Sequence, residues 1–313
     1  MVDINNIPAM QTTRRSFLKK SSLALAGAAV LPSGLLAAVK KPVILGIQLY
    51  SVRDDMKKDP LGTLKQLSGM GYKFVEHANY VNRQFYGYSA AGFKKVLTDL
   101  GMAMRSGHTS FNNSHWNAAK KEFTDTWKYT LEDAATVGQQ YVISPSMENA
   151  WYKTYDDLRH TMELFNKSGE LCKNNGLKFG YHNHHVEFST MLGGRKMYDI
   201  ILAETDPSLV TQQIDIGNMY NAGAQAADII RRYPGRFELM HVKDEIKSSE
   251  NKPGEPYEST ILGKGVIGTE AIAALGRQSG GTTDFIIEQE SYQGKTPIDC
   301  AKEDLAVMKK WGY

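Results

Sequence analysis

Cysteine is scarce in this 313-residue chain. Cys172 and Cys300 stand far apart, with no CxxC spacing and no adjacent histidine, which excludes a thiolate metal centre and a disulfide-framed fold. Both are expected to be small buried hydrophobes, although an oxidising compartment would leave a disulfide between them open. Long apolar runs are lacking too. The uninterrupted stretch 21–31 falls short of the ~20 residues that a membrane helix needs, so no stable membrane span is expected. An excess of one charge is the third absence. The chain has 37 Lys and Arg against 34 Asp and Glu. Setting aside residues 1–38 removes Arg14, Arg15, Lys19, Lys20 and Asp3, and 33 charges of each sign remain. That balance removes the electrostatic case for nucleic acid or an anionic membrane as partner.

The amino-terminal segment is ordered like a leader. A basic head, "TTRRSFLKK", precedes "SSLALAGAAVLPSGLLAA", an Ala- and Leu-rich stretch that ends in small residues. Arg14 and Arg15 followed by Ser16, Phe17 and Leu18 resemble a twin-arginine export signal. Residues 1–38 are therefore expected to be a cleavable signal and the mature chain to work in the periplasm. Such a route exports folded proteins.

Over 39–313 there is no low-complexity linker and no sustained repeat, so one domain is expected. Short apolar runs at 43–49, 73–76, 102–107, 141–144, 178–181, 210–216, 237–242 and 284–287 read as strands. Helical periodicity fills the gaps at 61–70, 90–100, 124–137, 156–174, 224–233 and 269–277. Eight such units define a (β/α)₈ barrel, a TIM barrel of the α/β class. The longest connection without helical period, 244–268, is expected to be a mobile rim loop. Its Gly263-Lys264-Gly265 lacks the strand, spacing and hydroxyl of a phosphate loop.

Alternation along the strands gives a sharper expectation. In a parallel barrel one face of each strand meets the helices and the other looks inward. Leu177, Phe179 and Tyr181 take the helix side and leave Gly180, His182 and His184 for the interior. Val210 and Ile214 oppose Thr211, Gln213 and Asp215. Met240 and Val242 oppose His241 and Lys243, and Phe285 and Ile287 oppose Ile286, Glu288 and Glu290. Gln48, Glu76 and His108 fall on the same side in the first three strands. Seven strands thus deliver hydrophilic groups to one mouth. Buried carboxylates and imidazoles are costly unless paired or bound to metal. An oxygen-rich set with one imidazole and no thiolate suits Mn²⁺, Mg²⁺ or Co²⁺, and is less suited to a structural Zn²⁺ site.

The ordered set "GIQLYS", "FVE", "SGH", "YHNHHVEF", "IDIGN", "HVKD" and "IIEQE", one per strand end, resembles the xylose isomerase-like sugar isomerase/epimerase barrels. The resemblance covers essentially all of the chain after the leader. It implies a single divalent ion, Mn²⁺ first, held by Glu187, Asp215, His241 and Glu288. His182 or His184 stays open as the fifth-strand ligand in place of Glu187, and Glu290 competes with Glu288. It implies enediolate chemistry, in which Glu187 and Glu288 act as base and acid while His108 and Lys243 bind or polarise substrate oxygens. Gln48, Glu76, His182, His184 and Glu290 would contact the sugar or orient the ligands. His185 has the opposite parity and is expected to be a partly exposed loop residue. Phe111, Trp116 and Trp151 fit a stacking surface or plain packing equally.

The function so implied is a metal-dependent sugar isomerase or epimerase acting on a small carbohydrate. Its rivals are a 3-keto-glycoside lyase or hydratase using the same site and a non-catalytic carbohydrate-binding barrel. An abasic-site nuclease is disfavoured by the balanced charge and the single-metal set. Whether barrels pair as a homodimer is not legible.

Overall fold

The computed structural model describes residues 42–252 and 255–313, so the leader and the export expectation resting on it lie outside the described residues. Eight parallel strands close into a barrel: β1 (Ile44–Gln48), β2 (Phe74–His77), β3 (Ala103–His108), β4 (Tyr141–Ser144), β5 (Lys178–His182), β6 (Val210–Asp215), β7 (Leu239–Val242) and β8 (Asp284–Ile287). Each pairs with its sequence neighbour and β8 pairs with β1, so chain order and spatial order coincide. The α/β barrel expected from the sequence is present, with every strand within two residues of its expected bounds.

Eight longer helices follow the strands: α1 (Pro60–Met70), α2 (Ala90–Asp99), α3 (Asp125–Val137), α4 (Tyr155–Asn174), α5 (Met197–Glu204), α6 (Ala226–Arg232), α7 (Thr269–Leu275) and α8 (Pro297–Lys310). Local chemistry sets their ends. Asp59 accepts from the Gly62 amide ahead of Pro60, Thr154 and Asp157 form a reciprocal capping box at α4, and Thr296 caps α8 ahead of Pro297. Among the described residues no helix is long and apolar enough to cross a membrane. Cys172 and Cys300 are buried and unpaired, as small hydrophobes.

The main core lies between strands and helices, while Ile143, Leu239 and Ile286 fill the barrel interior with Tyr141 against them. At the closed end Arg105 Nε donates to Asp284 Oδ1 at 2.7 Å. A bulge makes this possible. Val75 faces Met104, yet the next residue, Glu76, faces Ser106, so Arg105 is an extra residue in β3. Arg105 thereby points inward at one end of the strand, and Ser106 and His108 still point inward at the other.

The connection 244–268 departs from expectation. It carries an antiparallel hairpin, Asp244–Lys252 with Glu255–Thr260. The glycines that follow wrap the hairpin's first residue. Asp244 Oδ2 accepts from the amides of Gly263 (2.9 Å) and Gly265 (3.1 Å), and Oδ1 from those of Glu245 (3.0 Å) and Ile267 (3.2 Å). A Cβ on Gly265 would lie 2.2 Å from Asp244 Oδ1, so only glycine fits there. This nest of amides is filled by the chain's own carboxylate and offers no cradle to phosphate.

Asp304, on α8, is buried. Its Oδ1 accepts from the Leu262 amide at 2.9 Å, and Oδ2 has no hydrogen bond. Burial pushes its carboxyl up from 3.8 to about 7. Between those values the unfolded chain has released the proton and the folded chain has not, so stability falls as pH rises through that window. Asp304→Asn, which cannot ionise, is therefore expected to gain roughly 1–4 kcal/mol on the wild type between about pH 5 and about pH 8. Melting curves of both proteins at the two pH values test this; a constant gap would refute it.

Candidate active site

Glu76 is the hub of the open end. Its Oε1 accepts from Gln48 Nε2 (2.7 Å) and His241 Nε2 (2.6 Å), and its Oε2 from Gln213 Nε2 (2.8 Å) and the Ser106 hydroxyl. Burial alone would raise its pKa, but the imidazoles of His108 and His241 and the hydrogen bonds bring it down to about 2. An ionised carboxylate accepts only, so His241 Nε2 carries its proton here and Nδ1 is the nitrogen left for other work.

Gln213 fixes two more rings by the same reasoning. Its amide nitrogen is committed to Glu76, so its Oε1 meets the histidines: His108 Nε2 at 2.7 Å and His182 Nδ1 at 3.0 Å. Both rings must donate. His182 Nε2 is therefore free of its proton, and it lies 3.8 Å from Asp215 Oδ2. Burial, reinforced by His241 and His108, holds the His182 imidazole well below its ordinary pKa and hence neutral.

Asp215 ends β6 and caps the short helix Ile216–Asn221. Its Oδ1 accepts from the amides of Gly217 (2.9 Å) and Asn218 (2.6 Å). Asn183 clamps the same residue by a reciprocal pair of 3.0 Å hydrogen bonds to its backbone. Gly217 is dictated by crowding, since a Cβ there would lie 2.5 Å from Glu245 Oε1 and 2.9 Å from Lys243 Cβ. Asp215 Oδ2 is left buried without a hydrogen bond, and its nearest charged neighbour is Lys243 Nζ at 3.2 Å.

His241 Nδ1 lies 3.7 Å from Asp215 Oδ2 and 2.8 Å from Glu288 Oε2. Burial would lower the pKa of His241, but Glu288 and Glu76 on either side raise it well above the ordinary value. Lys243 Nζ reaches Glu288 Oε2 at 3.0 Å and Glu290 Oε2 at 2.6 Å; burial disfavours its charge, and Asp215, Glu288 and Glu290 more than restore it.

One donor atom each from His182, Asp215, His241 and Glu288 lies within 4.8 Å of the others, all four side chains being buried. Two imidazoles and two carboxylates, of which Asp215 has an oxygen with no hydrogen bond, form a set that a first-row divalent cation would satisfy on displacing the His241 Nδ1 proton. Hydrogen bonds from behind (Glu76 on His241, Gln213 on His182, the helix amides on Asp215) aim three of the donors inward.

Glu187 is not part of this group. It follows β5 on the turn Val186–Ser189, is 1% exposed, and has both oxygens engaged: Oε1 accepts from the Tyr181 hydroxyl and Oε2 from the His184 amide at 2.8 Å. The fifth-strand residue in the group is His182, the alternative that the sequence leaves open.

A cavity of about 600 Å³ opens over this floor. His108, His182, His184, Lys243, Glu288 and Glu290 line it, as expected from parity. His185, a partly exposed residue of the bend after β5 as expected, lines it as well. Gln48 lies beneath, on Glu76. Phe111 is buried against Trp127 and Trp151, Trp151 donates to Asn113, and Trp116 packs on Phe123, so these rings serve packing. Three further residues of the site carry no role in the sequence reading beyond the inward parity of Gln213. Gln213 and Asn183 are neutral amides with no chemistry of their own. Glu245 is buried in the cavity wall, where burial raises its carboxyl to about 8 and Oε2 has no partner.

Fold and floor together define a TIM barrel with a histidine and carboxylate centre at its C-terminal mouth. Residues 64–311 match the model of the xylose isomerase-like TIM barrel, and the chain belongs to that family. The inosose dehydratase of Clostridium perfringens is 27% identical over 175 residues, which are 54% of this chain and 56% of that one. The chain thus spans about half the length of such sequence relatives. A crystal structure of a sugar phosphate isomerase/epimerase from Parabacteroides distasonis is 26% identical, covers 86% of this chain and 98% of that one, and has a TM-score of 0.71. A crystal structure of the IOLI protein with a binding zinc atom shares the fold at 12% identity and a TM-score of 0.67, covering 86% of this chain and 98% of that one.

Proposed function

We propose that this chain is a divalent-metal-dependent enzyme that removes a proton next to the carbonyl of a keto sugar, in the manner of a sugar isomerase or epimerase. The observation that carries the reading is the convergence of His182, Asp215, His241 and Glu288 on one buried point beneath the cavity. The zinc atom in the IOLI protein and the sugar chemistry in the names of the relatives support it. A second imidazole in the donor set draws the choice of ion toward Zn²⁺, Co²⁺ or Mn²⁺ and away from Mg²⁺.

An ion bound there would supply a Lewis acid to adjacent substrate oxygens. Glu288 Oε2 lies beside His241 and Lys243 in the donor group, and its other oxygen, which makes no hydrogen bond among the described residues, would take the substrate proton. Glu245, protonated at neutral pH, returns one from the cavity wall. Lys243 fixes Glu288 and Glu290 relative to each other, and His108 meets a substrate oxygen from the opposite side. The leader fits work on a carbohydrate in the periplasm.

A lyase is the second reading, favoured by the inosose dehydratases: the same proton abstraction would expel water or an alcohol from the neighbouring carbon. NMR of the metal-loaded protein with keto sugars in D₂O tests both. Deuterium next to the carbonyl is expected, lost in Glu288→Gln; a moved or inverted centre marks the isomerase and a released fragment the lyase. Sugar binding without exchange would sink the enzyme and leave a carbohydrate-binding barrel.

A further inference from the structure

We propose that the substrate cleft continues past His108 into a second subsite that holds an uncharged sugar ring, so that the preferred substrate carries at least two rings. The inference rests on the reading of the first cavity as a sugar site.

A second cavity of about 570 Å³ adjoins the first, and Ala78, His108 and Ser110 line both. Each volume lies in the range of ~300–1,000 Å³ usual for ligand sites. The second is walled by Asn79, Asn82, Ser110 and Thr126, whose side chains make no hydrogen bond among the described residues. Tyr129 adds a ring that is 43% exposed. Neutral amides and hydroxyls beside an aromatic face match a ring that bears hydroxyls on its edge and C–H groups on its face.

The wall's guanidinium, Arg83, is paired within the protein. Arg83 donates from Nε and Nη2 to Asp133 at 2.9 and 2.8 Å, Tyr80 donates to the same carboxylate at 2.6 Å, and the guanidinium sits 4.6 Å from the Tyr129 ring centre. These contacts hold the turn rigid in an unfavourable backbone. Asn82, Arg83 and Tyr86 have φ of 52°, 61° and 49°, three non-glycine residues in the left-handed region within one rim. A fixed wall loses little freedom on binding, which favours selection by shape.

Calorimetric titration of the metal-loaded full chain with methyl glucosides and with maltose, cellobiose and trehalose tests the proposal. At least one disaccharide is expected to bind about tenfold more tightly than the methyl glucosides, and Tyr129→Ala or Asn82→Ala to bring that ratio within about threefold of unity. Equal affinity for one-ring and two-ring ligands, no binding of either, or a preference that survives both substitutions would overturn it. The deuterium exchange described above is read separately. Exchange without a disaccharide preference removes the subsite alone, and a preference without exchange removes the catalytic reading alone.

Discussion

His182→Ala is expected to lower affinity for Mn²⁺ or Zn²⁺ by about a hundredfold, while Glu187→Gln leaves it within about threefold of wild type. The contrast follows from where free donor atoms are. His182 donates from Nδ1 to Gln213 and turns an unprotonated Nε2 toward Asp215 Oδ2. Glu187 has spent one oxygen on the Tyr181 hydroxyl and the other on the His184 amide. The histidine's Nε2 faces the donor group it forms with Asp215, His241 and Glu288, whereas Glu187 lies outside that group. Competition against a chromophoric chelator measures both affinities. The reverse order would restore Glu187 as fifth-strand ligand and require the turn Val186–Ser189 to reorganise.

Glu76→Ala should be the most damaging single change for stability outside the apolar core, at about 3–5 kcal/mol. It strips the acceptor from four buried donors: Gln48 Nε2, Ser106 Oγ, Gln213 Nε2 and His241 Nε2. It also releases Gln213, whose amide orientation is set only while Glu76 takes its nitrogen, and with it the tautomers of His108 and His182. Metal affinity should therefore fall as well, by ~10–100-fold, although Glu76 is not itself in the donor group. Denaturant unfolding and metal titration give the two numbers. A variant within about 1 kcal/mol of wild type would show that water or a rearranged Gln213 replaces the carboxylate, and the hub account would fail.

Strand alternation makes most of this site legible in the sequence. Asp215, His241 and Glu288 sit on regular strands or at their first residue beyond, where a period of two still decides which way a side chain points. Glu187 sits five residues past His182, on a helical turn, and there the alternation carries no information. Motif resemblance filled that gap with a carboxylate whose surroundings, a tyrosine hydroxyl and a backbone amide, belong to the fold and not to the segment. The hairpin Asp244–Lys252 with Glu255–Thr260 is illegible in the sequence for a related reason. Most of "DEIKSSENK" and "EPYEST" is polar on both faces, so no hydrophobic rhythm marks it. Asp244 finds its partners, four amides, only when the glycine loop folds back on it.

The supernumerary residue in β3 also sets a rule for engineering this barrel. Because Arg105 shifts the phase of the strand, the seal at one end and His108 at the other are locked to a single reading frame of alternation. Deleting one residue to straighten the strand would rotate either the Asp284 partner or the imidazole out of the lumen. A shortened or grafted third strand must carry the irregularity with it.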